Sequence, residues 1–214
     1  LYNRFVKNKE EKVAELFITE FPELSDAKAF EDLAAFVQSL SLPRKIMLMV
    51  HAGQATDDLI DQLIPLLDKG DVLIDGGNAY YLDTEKRINL LKKWGIHFIG
   101  SGVSGGEEGA LKGPSIMPGG SIEGYQLIQP FFKKIAATNN KGINCCNYIG
   151  AGGAGHFVKM VHNGIEYAEM QLLAELVQFL KITAGFTNDL IALLLHPFLQ
   201  TEKTSYLLEI TIQI

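Results

Sequence analysis

The chain has 214 residues, enough for one large domain or two small ones. Its 47% hydrophobic and 21% charged residues are those of a globular protein, which excludes a disordered or collagen-like chain. With 19 basic and 25 acidic residues the net charge is −6, which disfavours nucleic-acid and anionic-membrane partners, and no apolar run reaches the roughly 18 residues of a membrane span.

Leu1–Arg4 reads as the end of a strand, followed by a helix over Lys7–Glu20 and another over Phe30–Leu40 that Pro43 breaks. Lys45–Val50 is a short apolar run. Gln54–Lys69 reads as a helix with Leu59, Leu63, Leu66 and Leu67 on one side, a kink at Pro65 and Gly70 beyond its end. Val72–Asp75 is the next apolar run. Asp83–Trp94 is helical, with Ile88 and Leu91 inward and Gly95 as its stop, and His97–Gly100 is a third strand. Strands separated by helices of this length imply βαβ units, right-handed crossovers and a doubly wound, Rossmann-like parallel sheet. Further on, Ile122–Ala137 reads as helix and Asn147–Ile149 as a short strand. The longest helical stretch runs from His156 to about Ala184, and Thr187–Leu199 and Lys203 onward look helical. The change to helices alone places a domain boundary near Gly152, giving an α/β domain over 1–152 and an all-helical one over 153–214. Cys145 and Cys146 are adjacent, poorly placed for an ordinary disulfide and without metal-ligand spacing. No metal is expected, and with no signal peptide visible the expected setting is reducing and cytoplasmic.

Of 21 glycines, 14 fall between Gly100 and Gly155, where the backbone must turn tightly or approach a ligand. Asp75-Gly76-Gly77-Asn78 follows a strand; it is either an ordinary βα turn or a place where backbone meets a ligand beyond a strand's carboxyl end. Ser104-Gly105-Gly106 offers a hydroxyl and bare N–H groups to an anion, or belongs to a surface loop. In the helix after Gly155, Lys159, His162, Asn163 and Glu166 stand at i, i+3, i+4 and i+7 on one arc, with Tyr167 at its edge. That arc is either a solvated polar face or an inventory for acid–base chemistry. On the opposite side Phe157, Val161, Ile165, Ala168 and Leu172 form an apolar stripe expected to face the core.

Five segments carry a resemblance: Leu73–Asn78, the glycine-rich Gly102–Gly120, Gly155–Tyr167 with its Lys-x-x-His-Asn-x-x-Glu spacing, and also Pro43–Val50 and Ser205–Ile210. Together, in order across nearly the whole chain, they resemble the decarboxylating 6-phosphogluconate dehydrogenase family. The resemblance implies oxidation of 6-phosphogluconate by NADP to ribulose 5-phosphate and carbon dioxide, a pentose phosphate pathway step in gluconate utilisation. It implies Lys159 as the base and Glu166 as the acid. Substrate would be held by Asn78, Ser104, Gly105, Gly106, His162, Asn163 and Tyr167, and coenzyme by Asn3, Arg4, Val50, Asn78 and Glu107. It also implies a homodimer. Phe5 stands where the family usually has Ser or Thr, and His51 where it has lysine, both on the coenzyme side. The family's first strand and Gly-rich dinucleotide turn are expected before Leu1, and most of its helical domain after Ile214. On that expectation the 214 residues alone have little activity. The alternatives are a non-catalytic truncated homologue and a related β-hydroxyacid dehydrogenase.

Overall fold

The computed structural model describes residue 19 and residues 26–139, 141–202 and 204–213. The expected strand end at 1–4 and, apart from Thr19, the helix over 7–20 lie outside them. So do Asn3, Arg4 and Phe5.

Among the described residues four strands form one sheet in the order β1 (Lys45–Leu48), β2 (Val72–Asp75), β3 (His97–Ser104), β4 (Ser115–Gly120). The first three are parallel, with Leu48 opposite Asp75 and Asp75 opposite Gly100. β4 is antiparallel to β3, Ile99 pairing with Gly120 and Ser104 with Ser115, so the sheet is mixed and not wholly parallel as expected. β3 is also twice the expected length. It returns through the short helix α4 (Gly106–Lys112), and a tight return of this kind permits only antiparallel pairing. The segment expected as a strand at Asn147–Ile149 lies extended along β4, bridging it at Cys146 and Gly150, with the Ile149 N–H donating to the Pro118 carbonyl at 2.8 Å.

Helices cover both faces. On one face α1 (Leu33–Gln38), α2 (Gln54–Leu63) and α3 (Tyr81–Lys92) pack Val37, Leu59, Ile60, Leu63 and Leu91 against Ile46, Leu48, Leu73 and Phe98. On the other, α5 (Ile122–Ile135) packs Tyr125, Ile128 and Phe132 against Val72, Ile74, Ile99 and Ile116. β2 is buried along its whole length, as a central strand covered on both faces must be, and each of its apolar side chains contributes about 1.5–3 kcal/mol. Pro65 does not kink α2; it converts the continuation into a 3₁₀ turn at Ile64–Leu66. Cys145 and Cys146 are free, and burial pushes the Cys146 thiol up from its ordinary value.

The long helix α6 (Ala154–Ile182) follows, then α7 (Asn188–Leu195), a 3₁₀ turn at His196–Gln200, and α8 (Tyr206–Gln213). The chain divides into two compact units, one ending at Lys159 and one beginning at Met160. In the second, Ile191, Leu195 and Leu208 form a core with Leu173, Val177 and Phe186 around them. No helix among the described residues is long and apolar enough to cross a membrane.

Candidate functional site

β1 and β2 end side by side, and the turn after β2 is built from beneath. The Asp75 carboxylate is buried. It accepts from the Gly77 N–H at 3.0 Å and from Arg87 Nη1 at 3.2 Å. Arg87 of α3 is also buried, and donates from Nε to Asp57 at 2.7 Å and from Nη2 to the Gly53 carbonyl at 3.1 Å. A Cβ on Gly77 would lie 3.1 Å from the Val50 carbonyl, so the turn closes against the chain two residues beyond β1. Val50, half-buried, and Asn78, exposed, therefore both lie at the carboxyl edge of the sheet, where α/β sheets bind ligands.

The first turns of α6 lie on β3 and β4 more closely than side chains would allow. A Cβ on Gly155 would run into the Gly100 and Met117 carbonyls and the Gly119 nitrogen, and one on Gly102 into Lys159 Cβ. This contact seats His156 above Gly100 and Lys159 above Gly102, and both are buried. The helix thus turns polar residues toward the sheet at its start. The apolar stripe expected to face the core is exposed instead, Phe157, Val161, Ile165 and Leu172 among them. For the first turns the reason is steric: strands lined with glycine leave room for the His156 ring and the Lys159 stem, and a sequence pattern of polarity does not register bare backbone.

Ser104 ends β3 two residues beyond Gly102 and is half-buried. Gly105 and Gly106 open α4 with φ of +133° and +59°, values L side chains rarely adopt, and both are exposed. Glu107 is exposed on the same helix, and His51 after β1 is exposed too. In the first unit Val50 and Asn78 therefore lie just beyond the carboxyl ends of β1 and β2, Ser104 ends β3, and Lys159 lies over Gly102 of β3. In the second unit, His162 Nδ1 lies 3.4 Å from Asn163 Oδ1 and 3.6 Å from a Glu166 carboxylate oxygen, and Tyr167 is exposed.

Sequence reasoning missed His156 and Thr84. His156 Nδ1 is 2.6 Å from Thr84 Oγ1 of α3, and its Nε2 has no hydrogen-bond partner among the described residues. Burial holds its imidazole below the ordinary histidine value, against the opposing influence of Asp75. The available signal was its position one helical turn before Lys159. Among the described residues no cluster of three metal-ligating side chains occurs.

A sheet covered by helices on both faces, with a glycine turn at the carboxyl edge of its parallel strands, makes the first unit a doubly wound α/β domain, a class that receives ligands at that edge. Residues 2–150 match the family described as the NAD binding domain of 6-phosphogluconate dehydrogenase, and residues 155–214 match its C-terminal domain. The chain belongs to the 6-phosphogluconate dehydrogenase family. It is 51% identical over 208 residues to the decarboxylating 6-phosphogluconate dehydrogenase of Chlamydia muridarum, covering 97% of this chain and 42% of that protein. It is 56% identical over 187 residues to that of Bacillus licheniformis, covering 87% and 40%. A solved Plasmodium falciparum 6-phosphogluconate dehydrogenase, studied in apo form, with NADP+ and with 6-phosphogluconate, superposes with a TM-score of 0.89 at 36% identity, covering 97% of this chain and 44% of that one. The chain thus spans less than half the length of these relatives.

Proposed function

We propose that this chain carries catalytic residues of an NADP-dependent, decarboxylating 6-phosphogluconate dehydrogenase. One observation supports the reading above the others. Lys159 is buried against the bare backbone of Gly102, on a helix whose following turns present His162, Asn163 and Glu166. A dehydrogenase base must be shielded from water and held beside the reacting carbon.

In this reading Asn78, Ser104, Gly105, Gly106, His162 and Asn163 hold the substrate's carboxylate and hydroxyls, and Tyr167 meets its phosphate. Lys159 takes the proton of the C3 hydroxyl. The same group, now protonated, faces the enol oxygen left when the carboxylate departs as carbon dioxide. Glu166 then delivers a proton to C1, giving ribulose 5-phosphate. Bound NADP supplies the hydride acceptor. The turn that closes on Val50 without intervening side chains fits a coenzyme edge, and Val50, Asn78 and Glu107 would hold it there, with Asn3 and Arg4 at its adenosine phosphate. A domain division near Gly152, a homodimer and a cytoplasmic setting belong to the same proposal; the two free cysteines support the last.

The test is binding. Titrating 6-phosphogluconate into the labelled 214-residue chain should shift the amides of Asn78, Ser104, Gly105 and Gly106, and Lys159→Ala should weaken the effect. Shifts confined to other surfaces would refute the reading.

A further inference from the structure

Two segments frame the proposed coenzyme edge: the loop after β1, which carries Val50, and the turn after β2, which carries Asn78. One buried side chain grips both. Arg87 is 3% exposed and lies in the second turn of α3. Its Nε donates to the Asp57 carboxylate at 2.7 Å, its Nη2 to the Gly53 carbonyl at 3.1 Å and its Nη1 to the Asp75 carboxylate at 3.2 Å. These partners stand 30, 34 and 12 positions away in the chain.

Each partner controls its own segment. The Gly53 carbonyl also accepts from the Thr56 and Asp57 N–H groups at 3.0 and 3.3 Å, so it joins the loop to the start of α2. The second oxygen of Asp75 accepts from the Gly77 N–H at 3.0 Å, one residue before Asn78. The helix that carries Arg87 is itself seated on the first turns of α6. Thr84 Oγ1 lies 2.6 Å from His156 Nδ1, and the Tyr81 and Phe157 rings are 5.2 Å apart. The guanidinium is therefore a fixed point from which the loop and the turn are both held.

Stability alone does not account for this arrangement. A buried ion pair must overcome the desolvation of both charges, and apolar residues of the same volume are often as stable. A planar guanidinium does what they cannot: its donors diverge at fixed angles and define where three separate groups stand. We propose that Arg87 is a positioning residue for coenzyme binding. It sets the spacing between the β1 loop and the β2 turn, and through them between Val50 and Asn78. The inference rests on the proposed function for its importance, since a ligand held by two segments needs them in register, but its first test needs no ligand.

The experiment is amide hydrogen exchange, read by NMR, on the 214-residue chain and on Arg87→Lys, Asp57→Ala and Asp61→Ala. Arg87→Lys keeps the charge and loses the fork. It should speed exchange at Thr56, Asp57 and Gly77 together by about tenfold or more, the scale of one lost charge-assisted hydrogen bond, while Leu73 and Ile74 inside β2 change less. Asp57 is 47% exposed, so Asp57→Ala removes one arm and leaves the buried Arg87–Asp75 pair in place. It should still speed Gly77, on the other segment, by roughly threefold. Asp61→Ala, at an exposed position of the same helix, should leave Gly77 unchanged. One factor shared by Leu73, Ile74 and the three loop amides would mean that Arg87 only stabilises the unit, and overturns the proposal. So does an Asp57→Ala response confined to α2. In a second arm, NADP+ titrations should show affinity at Val50 and Asn78 weakened roughly three- to tenfold by Arg87→Lys and by Asp57→Ala; unchanged affinity with loosened segments overturns the proposal too. Failure of the proposed function would appear separately, as no response of Val50 and Asn78 to NADP+ in the wild type. The claim on the coenzyme would then fall, while exchange as predicted would leave the coupling of the two segments standing.

Discussion

Two glycines on one helix should respond oppositely to the same substitution. Gly155 and Gly164 both lie in α6. A methyl group at Gly155 meets the Gly100 carbonyl, the Met117 carbonyl and the Gly119 nitrogen, all backbone atoms of β3 and β4. None can rotate away, so the helix or the strands must move. Overpacking of a rigid site costs about 1–3 kcal/mol, and a contact limited to backbone belongs at the upper end. Alanine's better helix propensity returns about 1 kcal/mol, leaving Gly155→Ala a net destabilisation of roughly 2 kcal/mol. A methyl group at Gly164 meets nothing within 4 Å, so only the propensity gain remains there, about 0.5–1 kcal/mol of stabilisation.

Urea denaturation followed by circular dichroism reads both changes as shifts in midpoint at unchanged slope. Because Lys159 sits on the displaced turn, Gly155→Ala should also weaken 6-phosphogluconate binding while Gly164→Ala leaves its fold intact. A Gly155→Ala chain as stable as the wild type would mean that α6 does not rest on the strands as argued. Equal destabilisation by both variants would mean that glycine matters here for a reason other than close approach.

Further outcomes follow from the buried network. Arg87→Met leaves the Asp75 carboxylate buried without its cation and should cost about 3–5 kcal/mol, whereas adding Asp75→Asn should recover part of that loss, measured by the same urea titrations. His156 has a folded-state value held low by burial, so the unfolded chain binds its proton first as pH falls. The stability this residue confers is therefore complete above its unfolded value of about 6.5 and is lost below it, with a slope of at most about 1.4 kcal/mol per pH unit. The difference between wild type and His156→Gln in thermal melts should be flat above that point and shrink beneath it. A difference that grows on acidification would reverse the sign of the argument.

Much of this was legible from residues alone. The Val72–Asp75 run, the leucines of α2 and the stop at Gly95 mark their elements because burial and chain termination act through side chains and glycine locally. Ser115–Gly120 was not legible as a strand. Its ladder is made by backbone, and its Pro and two glycines carry no strand pattern. The sidedness of α6 failed for a related reason. Polarity along the helix predicts a buried apolar stripe, yet in its first turns the buried face is chosen by Gly100, Gly102 and Gly119 on other elements. Lys159, Asn78 and Ser104 stand out in the sequence through resemblance to a family, and their roles belong to the proposed function. His156 and Thr84 do not stand out, because their pairing spans 72 positions and neither residue type signals it.

The central claim is that Lys159 serves as the base of a 6-phosphogluconate dehydrogenase. The direct measurement places residues 45–182 of this chain into the Bacillus licheniformis relative in place of its aligned segment. NADPH formation from 6-phosphogluconate is then followed with and without Lys159→Ala. A chimera that turns over, and loses about 100-fold or more on the substitution, is the predicted result. A folded chimera that is inactive, or one that keeps its rate without Lys159, would contradict the account.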